Sequence, residues 1–450
     1  MGKISSVLDN HPEYAVNIGI EVHIQLETKS KIFCPCSNKV SKKQNENICP
    51  ICCGYPGVLP VINKEVINNA ILMGLASGCT INKQCTFARK HYFYPDLPKN
   101  YQITQSSPPI CSEGHISIKK EDGTVKKIRL FRIHIEEDAG KNIHSEISPE
   151  SFVDLNRTGT PLLEVVSYPD IASTYEARAY LKMLHTMIQY LGVGTGNMEQ
   201  GAFRADTNIS VRKKADQKLG TRCELKNINS FKFICDAVEY EIERQINILE
   251  SGKTVAQETM SWNSKKREAF SMRSKEEAAD YRYFEEPDLP ILEINNEWIE
   301  RVKSRLPELP FEKLNRYCSE LGLSEYEAEI IIGNLPMTKY FEAASSYSPS
   351  KHVVNLLLRN VIGYLKENKV TIEHFKLSPK HLAELADLLE QGKINSHTAQ
   401  EIFAESIETQ KPPAEIVKEK GLEQIGSEEE LEKIVKQIVD ENSKQAEQYK

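Results

Sequence analysis

No apolar run in this chain approaches the length needed to cross a membrane. The first residues, Met-Gly-Lys-Ile-Ser-Ser, contain no apolar signal core. They fit a loose myristoylation template, but that template is short and common and carries no weight here. Basic charge is not in excess. The 57 Lys and Arg against 64 Asp and Glu give a net charge of −7. Any nucleic acid is therefore held through local patches rather than a globally basic surface. No internal repeat at a fixed period and no low-complexity tract occurs, which argues against a solenoid or an array. The eleven cysteines come without a signal peptide and so point to a reducing, cytoplasmic setting. Their uneven spacing favours metal binding or buried thiols over disulfides.

What remains is an ordinary globular chain. It has 450 residues, 40% hydrophobic and 27% charged, which is enough for about three domains and a large core. One stretch organises it. Residues 18–26 alternate without a break. On a strand, Ile18, Ile20, Val22, Ile24 and Leu26 share one face, and Gly19, Glu21, His23 and Gln25 the other. Taken alone, this is a half-buried strand with a wet outer face.

Three later stretches repeat the pattern. Residues 130–137 place Arg132, His134 and Glu136 together, and Glu137 opens a polar corner that runs to Lys141. Residues 203–211 line up Arg204, Asp206, Asn208 and Ser210 opposite Phe203, Ala205, Thr207, Ile209 and Val211. Residues 221–226 set Arg222, Glu224 and Lys226 against Thr221, Cys223 and Leu225. Four strands with carboxylates on one face, three of them also basic, point to a shared polar cavity. Oxygen ligands and cations on one sheet suit magnesium and a transferring phosphoryl group.

Cys34-Pro-Cys36 and Cys49-Pro-Ile-Cys52 follow the first strand. Two close pairs across a polar loop have the spacing of a closed, structural four-sulfur zinc site. Pro35 and Pro50 help hold each pair in a turn, and Cys53 is a possible substitute for Cys52. A cluster of free thiols is the alternative. Residues 88–101 mix cations with Tyr92, Phe93, Tyr94 and Tyr101. Such a stretch can stack the bases of a single-stranded RNA end, or it can be a buried aromatic loop. A hairpin is expected over 115–132, turning at Asp122-Gly123, with Lys119, Lys120, Lys126 and Lys127 protecting an edge.

Residues 154–166 read as a polar loop feeding an apolar strand. Helices are predicted over 64–77, from Ser173 or Thr174 to Gly192, and from Ser230 to Leu249. The fold class is α+β, with an antiparallel sheet to about residue 293. Beyond 295 strand signals fade. Helices are expected over 326–332 and 353–365, from Ser378-Pro379 to Gly392, and from Ser396. A capping box of Ser427 with Glu430 precedes Leu431, Ile434, Val435 and Ile438.

A set of ordered strings now carries a resemblance. They are Ile18-Gly-Ile-Glu-Val-His23, the two cysteine pairs, Tyr55-Pro-Gly-Val-Leu-Pro60, His91-Tyr-Phe-Tyr-Pro-Asp96, His134-Ile-Glu-Glu-Asp-Ala-Gly-Lys141, Asp154-Leu-Asn-Arg157, Glu224-Leu-Lys-Asn227 and Asp280-Tyr-Arg-Tyr-Phe284. Together they closely resemble the B subunits of tRNA-dependent aspartyl/glutamyl-tRNA amidotransferases, over nearly the whole chain. The resemblance implies ATP-dependent activation of the side-chain carboxylate of Glu-tRNA(Gln) or Asp-tRNA(Asn), followed by amidation with ammonia. It implies a magnesium-bearing cradle like that of glutamine synthetase over residues 1–293, a helical domain over 294–375 and a tail domain over 376–450 that hold the tRNA. The implied partners are the A subunit, which is an amidase, and the small C subunit. No Ser-Gly-rich amidase stretch occurs in this chain, so the ammonia source lies elsewhere.

In matching the family, Glu21, His23, Glu136, Glu137, Asp206 and Glu224 are the magnesium candidates. Arg204 and Lys226 are candidates to neutralise phosphate, and Asn156 and Arg157 to orient substrate. Zinc on Cys34, Cys36, Cys49 and Cys52 is structural in this reading. Family members usually continue past the position of Lys450, so an incomplete tail and weaker tRNA binding are expected. Two other functions compete: a stand-alone carboxylate–ammonia ligase acting on a small acid, and a non-catalytic zinc-bearing tRNA-binding subunit.

Overall fold

A computed structural model describes residues 6–144, 149–228, 230–274 and 280–422, together with 435, 436, 439 and 441. The chain forms two compact units, 1–312 and 313–450.

The first unit is built on a 13-stranded sheet. Its main strands are β1 (Tyr14–Gln25), β2 (Ala88–His91), β3 (Tyr101–Thr104), β4 (His115–Lys119), β5 (Val125–Glu137), β6 (Pro161–Ser167), β7 (Phe203–Lys213), β8 (Cys223–Ile228), β9 (Glu258–Asn263), β10 (Glu268–Ser274) and β11 (Phe284–Glu285). They lie in the order β10-β9-β8-β7-β1-β6-β5-β3-β2-β11. The strand named first by its alternation is thus central, paired on both sides. Its apolar set is sealed, with Ile18, Ile20, Val22 and Ile24 all at 0% exposure. Each such side chain contributes roughly 1.5–3 kcal/mol by leaving water.

The helices α1 (Lys64–Ala76), α2 (Thr174–Leu191) and α3 (Phe231–Glu250) pack into the same core. Ser173 caps α2 by accepting from the Glu176 N–H, and Gly192 ends it in the left-handed region at φ 64°. Ser230 caps α3 in the same way. The stripes Ala177/Leu181/Leu184/Ile188/Leu191 and Ile234/Val238/Ile242/Ile246 are buried as their spacing requires, while Leu249 is only partly buried. The expected hairpin is β4–β5, closed at Asp122-Gly123, and β4 pairs with β5 alone.

The sheet is mixed rather than wholly antiparallel. β8 and β9 run parallel, because α3 carries the chain back over the sheet between them, as a parallel pair requires.

The second unit is helical. It contains α4 (Glu325–Ile332), α5 (Leu335–Tyr347), α6 (Lys351–Leu356), α7 (Ile362–Asn368), α8 (Pro379–Glu390), α9 (Ser396–Thr409) and α10 (Pro413–Lys420). The helix expected over 353–365 is interrupted by a π-turn at Leu357–Val361. α9 begins at Ser396 as expected, capped by Asn395, whose side chain accepts from the Thr398 N–H. The expected Ser427/Glu430 box, Leu431, Ile434 and Ile438 lie outside the described residues. Val435 is exposed.

Candidate active site

Directly opposed residues of an antiparallel ladder share a face, so register decides what meets. His134 of β5 stands opposite Glu164 of β6, Glu164 opposite His23 of β1, and His23 opposite Arg204 of β7. Acid, base and cation alternate across four strands. Along the same face Glu21 opposes Asp206, and Asn208 opposes Glu224.

The side chains close the cluster. His23 Nε2 lies 3.3 Å from Glu136 Oε1 and 3.5 Å from Glu164 Oε2. His134 Nε2 lies 3.1 Å from Glu164 Oε2. Asn208 donates to Glu21 Oε1 at 2.9 Å. Lys226 Nζ bridges Asp206 Oδ2 at 2.6 Å and Glu224 Oε1 at 2.7 Å, and Thr259 donates to Glu224 Oε2 at 3.0 Å. The β7–β8 register shifts between Ala205 and Thr207, which sets Asp206 against the Lys226–Asn227 step. Such an irregularity re-aims a side chain.

The electrostatics follow from this crowding. Burial works against charge on His23, but Glu136 and Glu164 outweigh it and lift the imidazole to about 9. Burial likewise opposes the Glu164 charge, and His134, His23 and Lys90 overcome it, holding the carboxyl below its usual range. Burial, with Glu164 and Glu224 nearby, raises Glu21. Against burial, Asp206 and Glu224 raise Lys226. These are the marks of surplus, closely held negative charge. His23, Glu136 and Glu164 place one ligand atom each within 4.8 Å of one another. This oxygen-rich donor set fits a divalent cation.

Of the six residues expected at magnesium, Glu21, His23, Glu136, Asp206 and Glu224 lie on this face. Glu137 does not. One residue beyond Glu136, it points to the other side of β5, where it pairs with Lys99 and accepts from the Ile103 N–H at 2.9 Å. Asn156 is engaged elsewhere: Oδ1 accepts from the Asn47 N–H at 2.8 Å and Nδ2 donates to the Lys43 carbonyl at 2.7 Å. Arg157 braces the polar corner through the carbonyls of Ala139 at 3.0 Å and Gly140 at 2.6 Å.

Sequence reading misses two residues. Glu164 interrupts the apolar run Leu162-Leu163-Glu164-Val165-Val166, and a lone carboxylate inside such a strand is the available signal. Asp138 reads in sequence only as part of a corner, yet it is buried and accepts from Arg204 at 3.0 Å and Gln25 at 3.0 Å.

The stretch 88–101 is divided. Arg89 is held by Glu286 at 2.7 Å and sits over Tyr101 at 4.3 Å. Phe93 and Tyr94 are exposed.

A separate cluster joins Cys34, Cys36, Cys49 and Cys52, their sulfurs all within 4.8 Å. Cys49 and Cys52 Sγ are 3.8 Å apart. A tetrahedron with Zn–S of about 2.3 Å has an edge of about 3.8 Å, so the sulfurs fit zinc. Cys53 is not part of the group. A hydrogen bond from the Cys34 thiol lowers the Cys52 thiol, assisted by the Cys49 N–H and by Lys31, while the same bond and burial raise Cys34.

Among the described residues no helix is long and apolar enough to cross a membrane. Residues 16–300 match the family described as the GatB/GatE catalytic domain, and residues 339–450 match the GatB domain. The chain is similar to proteins named as the B subunit of aspartyl/glutamyl-tRNA(Asn/Gln) amidotransferase. It is 48% identical to that of Geotalea daltonii and 46% identical to that of Persephonella marina, over 97% of this chain and 92% of each relative. It is 47% identical to that of Geobacter sulfurreducens over the same shares. The charged face lies within the matched catalytic region, and the two matched regions span most of both units, so the chain belongs to the GatB family.

Proposed function

We propose that this chain is the carboxylate-activating subunit of a tRNA-dependent amidotransferase. The observation that carries the reading is the row His134–Glu164–His23–Arg204, continued by Glu21, Asp206, Glu224 and Lys226 on one sheet face. Carboxylate chemistry explains the need for such a face. A carboxylate does not react with ammonia, because oxide is not a leaving group. Transfer of the γ-phosphoryl group of ATP to the side-chain carboxylate of Glu-tRNA(Gln) or Asp-tRNA(Asn) gives an acyl phosphate and ADP. Ammonia then attacks the acyl carbon, phosphate leaves, and the amide remains.

Magnesium fits on His23, Glu136 and Glu164, with Glu21, Asp206 and Glu224 beside them. When bound, it supplies positive charge at the phosphates. Arg204 and Lys226 supply the protein's own cations for the transferring group. Asp138 and Arg157 hold Arg204 and the corner rigid. The central sheet with one open charged face supports a cradle of glutamine-synthetase type. In this reading residues 1–293 form the cradle, and 294–375 and 376–450 position the tRNA.

The relatives are named as one subunit of a larger enzyme, which supports work within an assembly. The A subunit, an amidase, supplies ammonia, and the small C subunit completes the complex, in a cytoplasmic setting. Zinc on the four cysteines is structural, since a closed four-sulfur site leaves no open position for chemistry.

The test is conversion of each mischarged tRNA by the assembled complex, with and without ATP. ATP-dependent appearance of Gln-tRNA or Asn-tRNA is the expected result. Conversion of a small free acid without tRNA overturns it.

A further inference from the structure

His134 is the member of the charged row with no task so far. Its side chain is 3% exposed. Nε2 lies 3.1 Å from Glu164 Oε2 and 3.9 Å from Glu136 Oε2. Nδ1 is sealed from solvent and has no hydrogen-bond partner. The carboxylate offers acceptors only, so Nε2 carries a hydrogen. A hydrogen on Nδ1 would strand a buried donor, whereas a hydrogen on Nε2 meets a carboxylate oxygen. His134 is therefore a donor to Glu164.

Register explains why that donor matters. Glu164 sits between His134 and His23 on neighbouring strands. A carboxylate on a flexible side chain between two imidazoles can swing toward either. A fixed N–H on one side sets its rotamer, and the oxygen it holds, Oε2, is the one that lies 3.5 Å from His23 Nε2. Hydrogen bonds to metal-bound carboxylates act in this way at built metal sites.

We propose that His134 is a positioning residue. It holds Glu164 in the geometry in which Glu164, Glu136 and His23 together take a divalent cation, without itself ligating the ion. This rests on the reading of that trio as a cation site.

Mn²⁺ is the probe, since it replaces magnesium at oxygen-rich sites and is visible by electron spin resonance. Binding is measured on the full chain for wild type, His134→Ala, His134→Gln and Glu164→Gln. Pulsed measurements count the nitrogens coupled to the ion, and unfolding midpoints are recorded beside them. Gln carries an N–H where Nε2 stands, so it is the conservative variant.

The expected result is one coupled nitrogen in wild type and in both His134 variants. His134→Ala should weaken Mn²⁺ by about tenfold or more, and His134→Gln should restore affinity close to wild type. Equal affinity in His134→Ala and wild type overturns the proposal. Loss of a coupled nitrogen in His134→Gln also overturns it, by making His134 a ligand. A wild-type site whose Mn²⁺ affinity is unmoved by Glu164→Gln removes the cation reading itself. The two failures are thereby told apart.

Discussion

The guanidinium of Arg204 and the carboxylate of Asp138 lie 3.0 Å apart, and the same carboxylate oxygen accepts from Gln25 at 3.0 Å and stands 3.5 Å from Arg157. One buried anion thus fixes a cation that stands opposite His23 on the charged face. Asp138→Ala releases Arg204 and takes from Gln25 its acceptor. The expected result in the assembled complex is a fall in kcat/KM for ATP on the order of 10²-fold, from misplacement of a charge-neutralising group. Steady-state kinetics in ATP check it, with the glutaminase activity of the partner as the internal control.

Glu164→Gln keeps the shape of the side chain and removes its charge. Amidation should fall by about 10²-fold or more. The unfolding midpoint of the metal-free protein should fall near pH 7 as well, because His134, His23 and Lys90 stabilise the ionised carboxylate and the amide does not replace its charge. Activity assays and thermal melts on the same preparation separate the two effects.

The metal-free protein should show the His23 titration in its stability. The imidazole is raised from 6.5 to about 9 by Glu136 and Glu164, against burial. A group whose pKa rises on folding stabilises fully below its unfolded pKa, and that contribution is lost as pH rises through the folded value. The stability advantage of wild type over His23→Asn should therefore be largest below about pH 6.5 and fade towards pH 9. Melting curves with a chelator present, across that range, measure the difference.

One zinc per chain is expected from elemental analysis. Cys52→Ser should lower the unfolding midpoint more than it lowers the chemical step, because the sulfurs anchor the loop that Asn156 grips at residues 43 and 47. Chelation of the wild-type protein should reproduce the shift.

Behind the sheet, Gln245 is fully buried. It accepts from the Val211 N–H at 2.9 Å and donates to the Ile209 carbonyl at 3.1 Å. It completes the hydrogen bonding of β7 past Ile209, the last residue that β8 pairs. Gln245→Leu strands these groups and should cost about 1–3 kcal/mol. Urea unfolding at two protein concentrations gives the value.

Much of this was legible in residue order. The alternation at 18–26 is buried on one side because period two admits no other outcome once one face is apolar. Ser173, Gly192, Ser230 and Ser378 bound their helices because capping is local chemistry. The two cysteine pairs converge because each lies in a short turn, and the motif strings identified the family.

Register was not legible. No strand states which residue it will face, and the row His134–Glu164–His23–Arg204 exists only once four strands separated in sequence are aligned. Glu164 was hidden for that reason: within its own strand it is a lone acid among aliphatic residues. Parity sends Glu137 to the far side of the sheet from Glu136, and tertiary contacts supply Lys99 to receive it. The sequence by itself determined the elements, their buried faces and the kind of chemistry, through local periodicity and residue type. Only the tertiary structure decided which charges meet on one face, because that depends on ladder alignment and on side-chain reach across strands.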